Sequence, residues 1–198
     1  MVTQKVEPKV IEIPKPNRTT LKVKIRSYPG SALIVNRKTQ KAMDQIKNKQ
    51  LGKAKEKKGA KNPKEIFENC MHRVNETYGY PAEALKKSMI SVANMADLKM
   101  TDIRKSFHVI GDIIPFTKCS KPKLREDYLP LRKGGMDWRI RAQFDTWEME
   151  HTILFNANTI TAEQIVSLVD LAGFHGGFGE DRPNKSGGSH GMFEVIRK

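Results

Sequence analysis

Alternation of hydrophobic and polar residues predicts the strands of this chain. In the first strand, hydrophobic residues occupy every second position and cations lie between them: Leu21, Val23 and Ile25, with Lys22, Lys24 and Arg26. A period of two is typical of a strand that buries one face. The pattern recurs in two later segments: Ile140, Ala142 and Phe144, which alternate with Arg139 and Arg141, and then His151, Ile153 and Phe155. Because a short turn at 145–148 separates these two segments, we predict a β-hairpin. Strands are also predicted for 109–116 and 192–197.

Helical spacing predicts the elements between the strands. Pro63 favours the first turn of a helix that continues from about 64 to 76. After Pro81, hydrophobic residues recur at intervals that place them on one helical face: Leu85, Met89, Val92 and Ala96. A short helix is predicted from Thr101. Thr161 and Gln164 have the spacing of a capping box, and Gly173 suits the left-handed end of the helix that they begin.

In chain order these elements give β-α-β-β-α-β, which is the ferredoxin-like (RRM-like) plan of an α+β protein. We predict a single domain over 19–198, preceded by an extended tail at 1–18 that contains three prolines. In this plan both helices cover one face of the sheet. The opposite face would carry the cations of the alternating strands, and we predict that these bind phosphates: Lys22, Lys24, Arg26, Arg139 and Arg141.

Positive charge is concentrated in one segment. The 198 residues include 36 Lys and Arg against 22 Asp and Glu, a net charge of +14. Between Arg37 and Lys64 there are eleven basic and two acidic residues, so this stretch alone supplies +9. It has few large hydrophobic side chains and repels itself, so it cannot become ordered alone. We interpret 37–64 as an insertion that contacts a polyanion, with Lys53, Lys57 and Lys58 among its contacts. A solvated loop without a partner is the alternative.

Several classes of protein are disfavoured by what the chain lacks. No hydrophobic stretch approaches the ~20 residues that span a bilayer, and the first residues lack the pattern of a signal peptide. Two cysteines, Cys70 and Cys119, cannot form a disulfide framework, and a reducing, cytoplasmic location fits them best. No motif for a metal, a nucleotide phosphate or a dinucleotide occurs. We therefore predict no metal and no cofactor.

A glycine-rich loop follows the last predicted helix. It holds seven glycines in the nineteen residues from Gly173 to Gly191. Glycine permits positive φ and a close approach of the backbone to another chain, which suits the phosphates of a nucleic acid. Five residues of the loop are candidate contacts, with Phe178 as the ring that stacks on a base: Gly177, Phe178, Gly179, Arg182 and Lys185. A flexible linker is the alternative. Trp138 and Trp147 fit stacking and packing equally well.

The C-terminal part of the chain resembles a known family. The Ala172–Gly173 helix end, the Gly-x-Gly-x-x-Arg motif at 177–182 and the glycines of 187–191 are similar to the RAMP superfamily of CRISPR-associated RNA-binding proteins. The similarity is greatest to the backbone subunits, which polymerise along guide RNA. It implies an RRM-like protein of antiviral defence that holds RNA partly through this loop, with other effector-complex subunits as partners. The chain is shorter than typical backbone subunits, so a stand-alone relative from a virus or mobile element fits equally well.

The predicted function is the binding of single-stranded RNA, mainly through its phosphates, by a non-catalytic scaffold that multimerises along the strand. One alternative is a metal-independent endoribonuclease that uses His175 or His190 as general acid or base. A viral single-stranded DNA-binding protein and a virion assembly protein also fit the charge. No membrane partner is expected.

Overall fold

The computed structural model describes residues 13–38, 40–54, 60–131 and 134–197. The elements within these ranges are, in chain order, β1 (Arg18–Ser27), β2 (Leu33–Val35), α1 (Gln40–Gln50), α2 (Pro63–Asn69), β3 (His72–Val74), β4 (Thr77–Pro81), α3 (Ala82–Val92), a 3-10 helix (Ala93–Ala96), α4 (Met100–Ser106), β5 (Phe107–Ile110), β6 (Ile113–Cys119), β7 (Lys123–Pro130), β8 (Met136–Phe144), β9 (Trp147–Asn156), α5 (Ala162–His175), α6 (Pro183–Ser186) and β10 (Phe193–Val195). The predicted α+β class is confirmed.

The strands form two antiparallel sheets. The larger sheet has the order β10-β1-β9-β6-β4-β3, and β5 pairs with β9 next to β6. β1 and β9 form a long ladder, from Arg18 opposite Asn156 to Arg26 opposite Glu148. The smaller sheet has the order β2-β8-β7. The last predicted strand is confirmed as β10, which pairs with β1 at the edge of the larger sheet.

One hydrophobic core joins both sheets to α3 and α5. Ile25 of β1, Leu85 of α3 and Leu168 of α5 are almost fully buried in it. Phe144 of the smaller sheet reaches the same core, where its ring centroid lies 5.1 Å from that of Phe116 on β6. The smaller sheet is therefore held to the rest of the molecule by hydrophobic contacts as well as by the chain.

The predicted helices after Pro81 and Thr161 are confirmed. α3 buries Leu85, Met89 and Val92 of the predicted face, but it ends at Val92, and Ala96 lies exposed in the 3-10 helix that follows. At the start of α5, the N–H of Gln164 donates to Oγ1 of Thr161 at 3.2 Å, and the N–H of Thr161 donates to Oε1 of Gln164 at 2.9 Å. These two bonds are the capping box, which satisfies backbone groups that a helix end leaves unpaired.

Three boundaries differ from the prediction. The helix that begins at Pro63 ends at Asn69, and the rest of the predicted range holds β3 and the turn before β4, where Asn75 has a φ of 54°. The predicted strand 109–116 is divided at Gly111, whose φ is 104°, into β5 and β6. Gly173 lies inside α5 and not at its end. Glycine is required there because a Cβ would lie 1.9 Å from the carbonyl oxygen of Phe193.

The predicted hairpin between 140–144 and 151–155 is wrong. β8 pairs with β2 and β7, whereas β9 pairs with β1, β5 and β6. At the corner between β8 and β9, Oγ of Ser120 accepts from the N–H groups of Asp145 and Thr146, and the chain passes from one sheet into the other. Alternation predicts each strand correctly but does not specify its partner. β5 occupies the place beside β9 that the prediction gave to 140–144.

Candidate nucleic-acid interface

The exposed face of the larger sheet carries the predicted cations of β1, but carboxylates of neighbouring strands pair with them. Nζ of Lys22 and Nζ of Lys24 lie 3.7 and 3.5 Å from the carboxylate of Glu150 on β9. Nε of Arg26 lies 2.7 Å from the carboxylate of Glu194 on β10. Opposite charges on adjacent strands stabilise a sheet by small amounts per pair. This face is therefore a partly neutralised ladder of ion pairs.

Arg139 and Arg141, predicted for the same face, belong to the smaller sheet. Arg141 is only 5% exposed, and its Nη1 donates to Asp127 at 2.8 Å while its Nη2 lies 3.9 Å from Glu180. Nε of Arg139 donates to Asp137 at 2.8 Å. The prediction of one cationic face that combines these arginines with β1 is wrong, because β8 is not in the sheet that contains β1. Arg141 instead links the smaller sheet to the glycine-rich loop.

The glycine-rich loop is bonded to β2 through its backbone. The N–H of Glu180 donates to the carbonyl of Ile34 at 3.0 Å, and the N–H of Gly191 donates to the carbonyl of Ala32 at 2.9 Å. Gly179 has a φ of +74°, and a Cβ there would lie 2.4 Å from the carbonyl oxygen of Ile34. These glycines therefore accommodate the protein's own backbone, and the loop is an integral part of the fold, not a flexible linker.

Phe178 is the hydrophobic anchor of this loop. It is 1% exposed, and its ring centroid lies 4.4 Å from that of Phe193, 5.5 Å from that of Tyr80 and 5.7 Å from that of Trp147. A ring enclosed in this way cannot stack on a base, so the predicted role of Phe178 is wrong. Trp147 is also buried, which assigns it to packing. The flanking glycines indicated a ring held in place, but nothing local indicated that it points inwards.

A groove of about 210 Å³ lies between α3 and the glycine-rich loop. The polar and backbone groups on its walls include those of Tyr80, Lys87, Ser88, Gly177, Arg182 and Asn184. Nη1 of Arg182 donates to the carbonyl of Gly179 at 2.7 Å, which fixes the guanidinium at the rim. Burial raises the pKa of Tyr80 to about 12, so its hydroxyl stays protonated. Sequence reasoning missed Lys87 and Asn184, because α3 and the loop are distant in the chain.

Two other cations near the groove are paired. Nζ of Lys185 lies 2.6 Å from the carboxylate of Glu180, and Nζ of Lys87 lies 2.8 Å from that of Glu83. Arg182 has no carboxylate partner among the residues that the structure describes. Of the loop residues predicted from the sequence, Arg182 is therefore the one that presents uncompensated charge.

The basic insertion differs from these surfaces, because most of its described cations are exposed and unpaired. Part of it is helical: α1 carries Lys47 and Lys49 in its last turn. Over the described parts of 37–64, several cations form no ion pair with a described carboxylate: Arg37, Lys38, Lys47, Lys49, Lys53 and Lys64. Lys61 is paired, at 3.4 Å from Asp137. The predicted contacts Lys57 and Lys58 lie outside the described residues. Uncompensated positive charge is thus concentrated here.

The two histidines proposed for catalysis are in different surroundings. Nδ1 of His190 lies 2.8 Å from the carboxylate of Asp181, and its Nε2 lies 3.4 Å from Nη1 of Arg125. Because a carboxylate only accepts, Nδ1 carries the proton and Nε2 accepts from the guanidinium. His175 packs against the ring of Phe174 at the end of α5. Among the described residues, no hydrogen bond or ring contact joins His175 to His190.

The described part of the chain has neither a metal-binding cluster nor a membrane-spanning helix. It contains no group of three or more His, Cys, Asp or Glu side chains placed to hold a metal ion. None of its helices is long and apolar enough to cross a bilayer. Cys70 and Cys119 are free thiols, and burial raises the pKa of Cys70 to about 11.

Comparisons with known proteins give limited similarity. No family model matches the chain, and no curated protein matches it. Among solved structures it is similar to Cmr6 from Pyrococcus furiosus, with 10% sequence identity and a TM-score of 0.48, over 91% of this chain and 99% of that chain. Because this TM-score is below 0.5, no residue role passes from Cmr6 to this protein.

Proposed function

We propose that the protein binds single-stranded RNA through its phosphates, as a non-catalytic scaffold of the RAMP type. The observation that carries this proposal is the contrast in charge between surfaces. Carboxylates pair with the cations on the exposed face of the larger sheet, but the described lysines and arginines of the insertion mostly have no such partner. Unpaired, exposed cations attract a polyanion, and release of its counterions supplies much of the binding free energy.

The proposal includes a ferredoxin-like core. β10, β1, β9 and β5 lie side by side in the larger sheet, and in chain order they are the fourth, first, third and second of these strands. α3 precedes β5, and α5 precedes β10. This succession is β-α-β-β-α-β, and it supports the RAMP resemblance carried by 172–191. A protein of this type would work in the cytoplasm, with further copies of itself or with other effector-complex subunits.

The insertion begins close to the point where the glycine-rich loop is bonded to β2. The carbonyl of Ile34 binds Glu180 of the loop, and the insertion begins three residues later at Arg37. Three residues span at most about 10–11 Å. We therefore place the RNA along a path that includes the insertion and Arg182 at the rim of the groove.

The experiment is a salt titration of fluorescently labelled RNA with two variants that change the net charge equally. The first replaces unpaired cations: Lys47→Gln, Lys49→Gln and Lys53→Gln. The matched control replaces paired ones: Lys22→Gln, Lys24→Gln and Lys118→Gln. For single strands, log K changes with log[salt] at a slope of about −0.7 per phosphate neutralised. The first variant should therefore reduce the slope by about 2, and the control should change it far less.

An equal reduction of the salt slope in the two variants would contradict the assignment of the phosphate contacts to the insertion, since it would reflect net charge alone. A slope near zero in the unmodified protein would contradict phosphate binding altogether. Competition with DNA of the same sequence separates the two nucleic acids, and DNA that competes as well as RNA would contradict the preference for RNA.

A further inference from the structure

The free edge of the smaller sheet is unusually long. Of the strands that end the two sheets, β10, β3 and β2 have three residues each, whereas β7 has eight. β7 pairs with β8 along its whole length, from Lys123 opposite Gln143 to Pro130 opposite Met136. On its other side, no strand of the described chain pairs with it. A long free edge presents unpaired backbone N–H and C=O groups to any strand that can lie beside it.

Hydrophobic side chains are exposed along this edge. Leu124 is 42% exposed and Tyr128 is 62% exposed. Both lie on the side of the smaller sheet on which Ile140 and Ala142 of the neighbouring strand are buried. At the far end of the hairpin, Met136 is 60% exposed. The buried side of the sheet therefore extends onto β7, where no described residue covers it, which is typical of a surface that another polypeptide completes.

The charged residues of β7 do not block the edge. Nε of Arg125 binds the carboxylate of Asp127 at 2.9 Å, and Glu126 accepts a hydrogen bond from Nε1 of Trp138 at 3.1 Å. These charges are engaged within their own sheet. Protected edges usually carry an unpaired lysine or a central proline, and here Pro130 stands only at the end of the strand.

We propose that β7 pairs antiparallel with β7 of a second copy of this chain, about a two-fold axis at Glu126. In this register Arg125 of one copy lies opposite Asp127 of the other, and Leu124 lies opposite Tyr128. Symmetry makes each of these pairs occur twice. Opposite charges and hydrophobic–aromatic pairs are favourable cross-strand neighbours, and these four pairs outnumber the one unfavourable pair, the two Glu126 carboxylates that face each other at the axis. Two three-stranded sheets thereby become one continuous sheet, and this association goes beyond RNA binding and does not depend on it.

A disulfide tests the register directly. In the proposed dimer the two Glu126 residues face each other, and directly opposite Cβ atoms in an antiparallel pair are about 4.5–5.5 Å apart, close to the span of a disulfide. Glu126→Cys in a Cys119→Ser background should therefore give a cross-linked dimer on mild oxidation, seen on a non-reducing gel. The matched control is Thr20→Cys on the exposed side of β1, which should stay uncross-linked. Equal cross-linking of both variants, or of neither, would overturn the proposal.

The mass in solution tests the interface without any cross-link. Sedimentation velocity of nuclease-treated protein should show a dimer of the 22.5 kDa chain. Leu124→Lys combined with Tyr128→Lys should raise the dissociation constant at least about tenfold, because like charges then face each other. Met95→Lys, at another exposed hydrophobic position, should leave it unchanged.

A monomer at every concentration, or a dimer that persists in the double variant, would overturn the proposal. So would a dimer that disappears on nuclease treatment, because nucleic acid would then hold the copies together. A loss of RNA affinity in Tyr128→Ser at unchanged mass would assign the patch to RNA instead. Because the mass is measured without RNA, failure here is distinguishable from failure of the proposed function.

Discussion

His151 is a polar residue in the middle of the core. It is 1% exposed on β9, neither ring nitrogen has a hydrogen-bond partner among the described residues, and its ring lies 6.5 Å from that of Phe178. Burial lowers the pKa of His151 from 6.5 to about 4, because the charged imidazolium is disfavoured away from water. The residue that lies beside the anchor of the glycine-rich loop is therefore neutral in the folded protein at neutral pH.

This burial predicts a dependence of stability on pH. Between pH 6.5 and about 4, the unfolded chain binds a proton at His151 that the folded protein does not bind. The free energy of unfolding should therefore decrease as the pH falls through this window, by about 3 kcal/mol from this residue. Urea unfolding of the unmodified protein and of His151→Phe at several pH values isolates the effect, since other groups titrate alike in both. A difference between the two that stays constant from pH 7.5 to 4.5 would contradict it.

Among the elements, the glycine-rich loop offers a matched pair of glycines. Gly191 and Gly187 both have a φ of +71°, but a Cβ on Gly191 would lie 1.9 Å from the carbonyl oxygen of Phe178, and a Cβ on Gly187 would meet nothing within 4 Å. Gly187→Ala should cost about 1 kcal/mol of unfolding free energy, from the left-handed conformation alone. Gly191→Ala should cost about 1–3 kcal/mol more, because the backbone must move. Equal costs in urea denaturation would show that the loop is not held closely at this point.

Local patterns predicted the elements better than their partners. Leu85 and Met89 on α3 and the Thr161 cap of α5 are specified by neighbours in the chain, so periodicity and capping found them. The pairing of β8 with β2 depends on residues far apart in the chain, which alternation does not encode. The inward direction of the Phe178 ring also depends on residues far apart in the chain, so no local pattern predicts it. The sequence therefore indicated which residue types form the candidate site, but only part of how they are arranged in space.

At the scale of the whole molecule, the shared core predicts cooperative unfolding. Trp147 lies in the core between the sheets, and Trp138 lies on β8 of the smaller sheet. If the two sheets unfold together, tryptophan fluorescence and far-UV circular dichroism should change at the same urea concentration. Trp138→Phe leaves Trp147 as the sole tryptophan and should give the same midpoint by both probes. Two separated transitions would contradict the single domain predicted from the sequence.

The location of the excess positive charge was predicted, but the carboxylates that pair with the other cations were not. Counting residues located the excess of lysine in 37–64. It did not show that Glu150 and Glu194 approach the cations of β1, or that Asp127 approaches Arg141, because these contacts form only across paired strands and between separate segments. Counting charge along a chain therefore locates a basic surface more reliably when the basic residues are consecutive than when they alternate along a strand.

The three-residue strand β2 connects the smaller sheet, the glycine-rich loop and the insertion. Its backbone bonds to β8 on one side, its Ile34 carbonyl bonds to Glu180 of the loop, and the insertion departs two residues beyond its end. Tension on the insertion would consequently be shared between two attachments: the bond from the N–H of Arg37 to the carbonyl of Cys70, at 2.8 Å, and β2, which leads to the loop. A ligand that captures the insertion would alter the exchange of the Glu180 amide proton even without touching it.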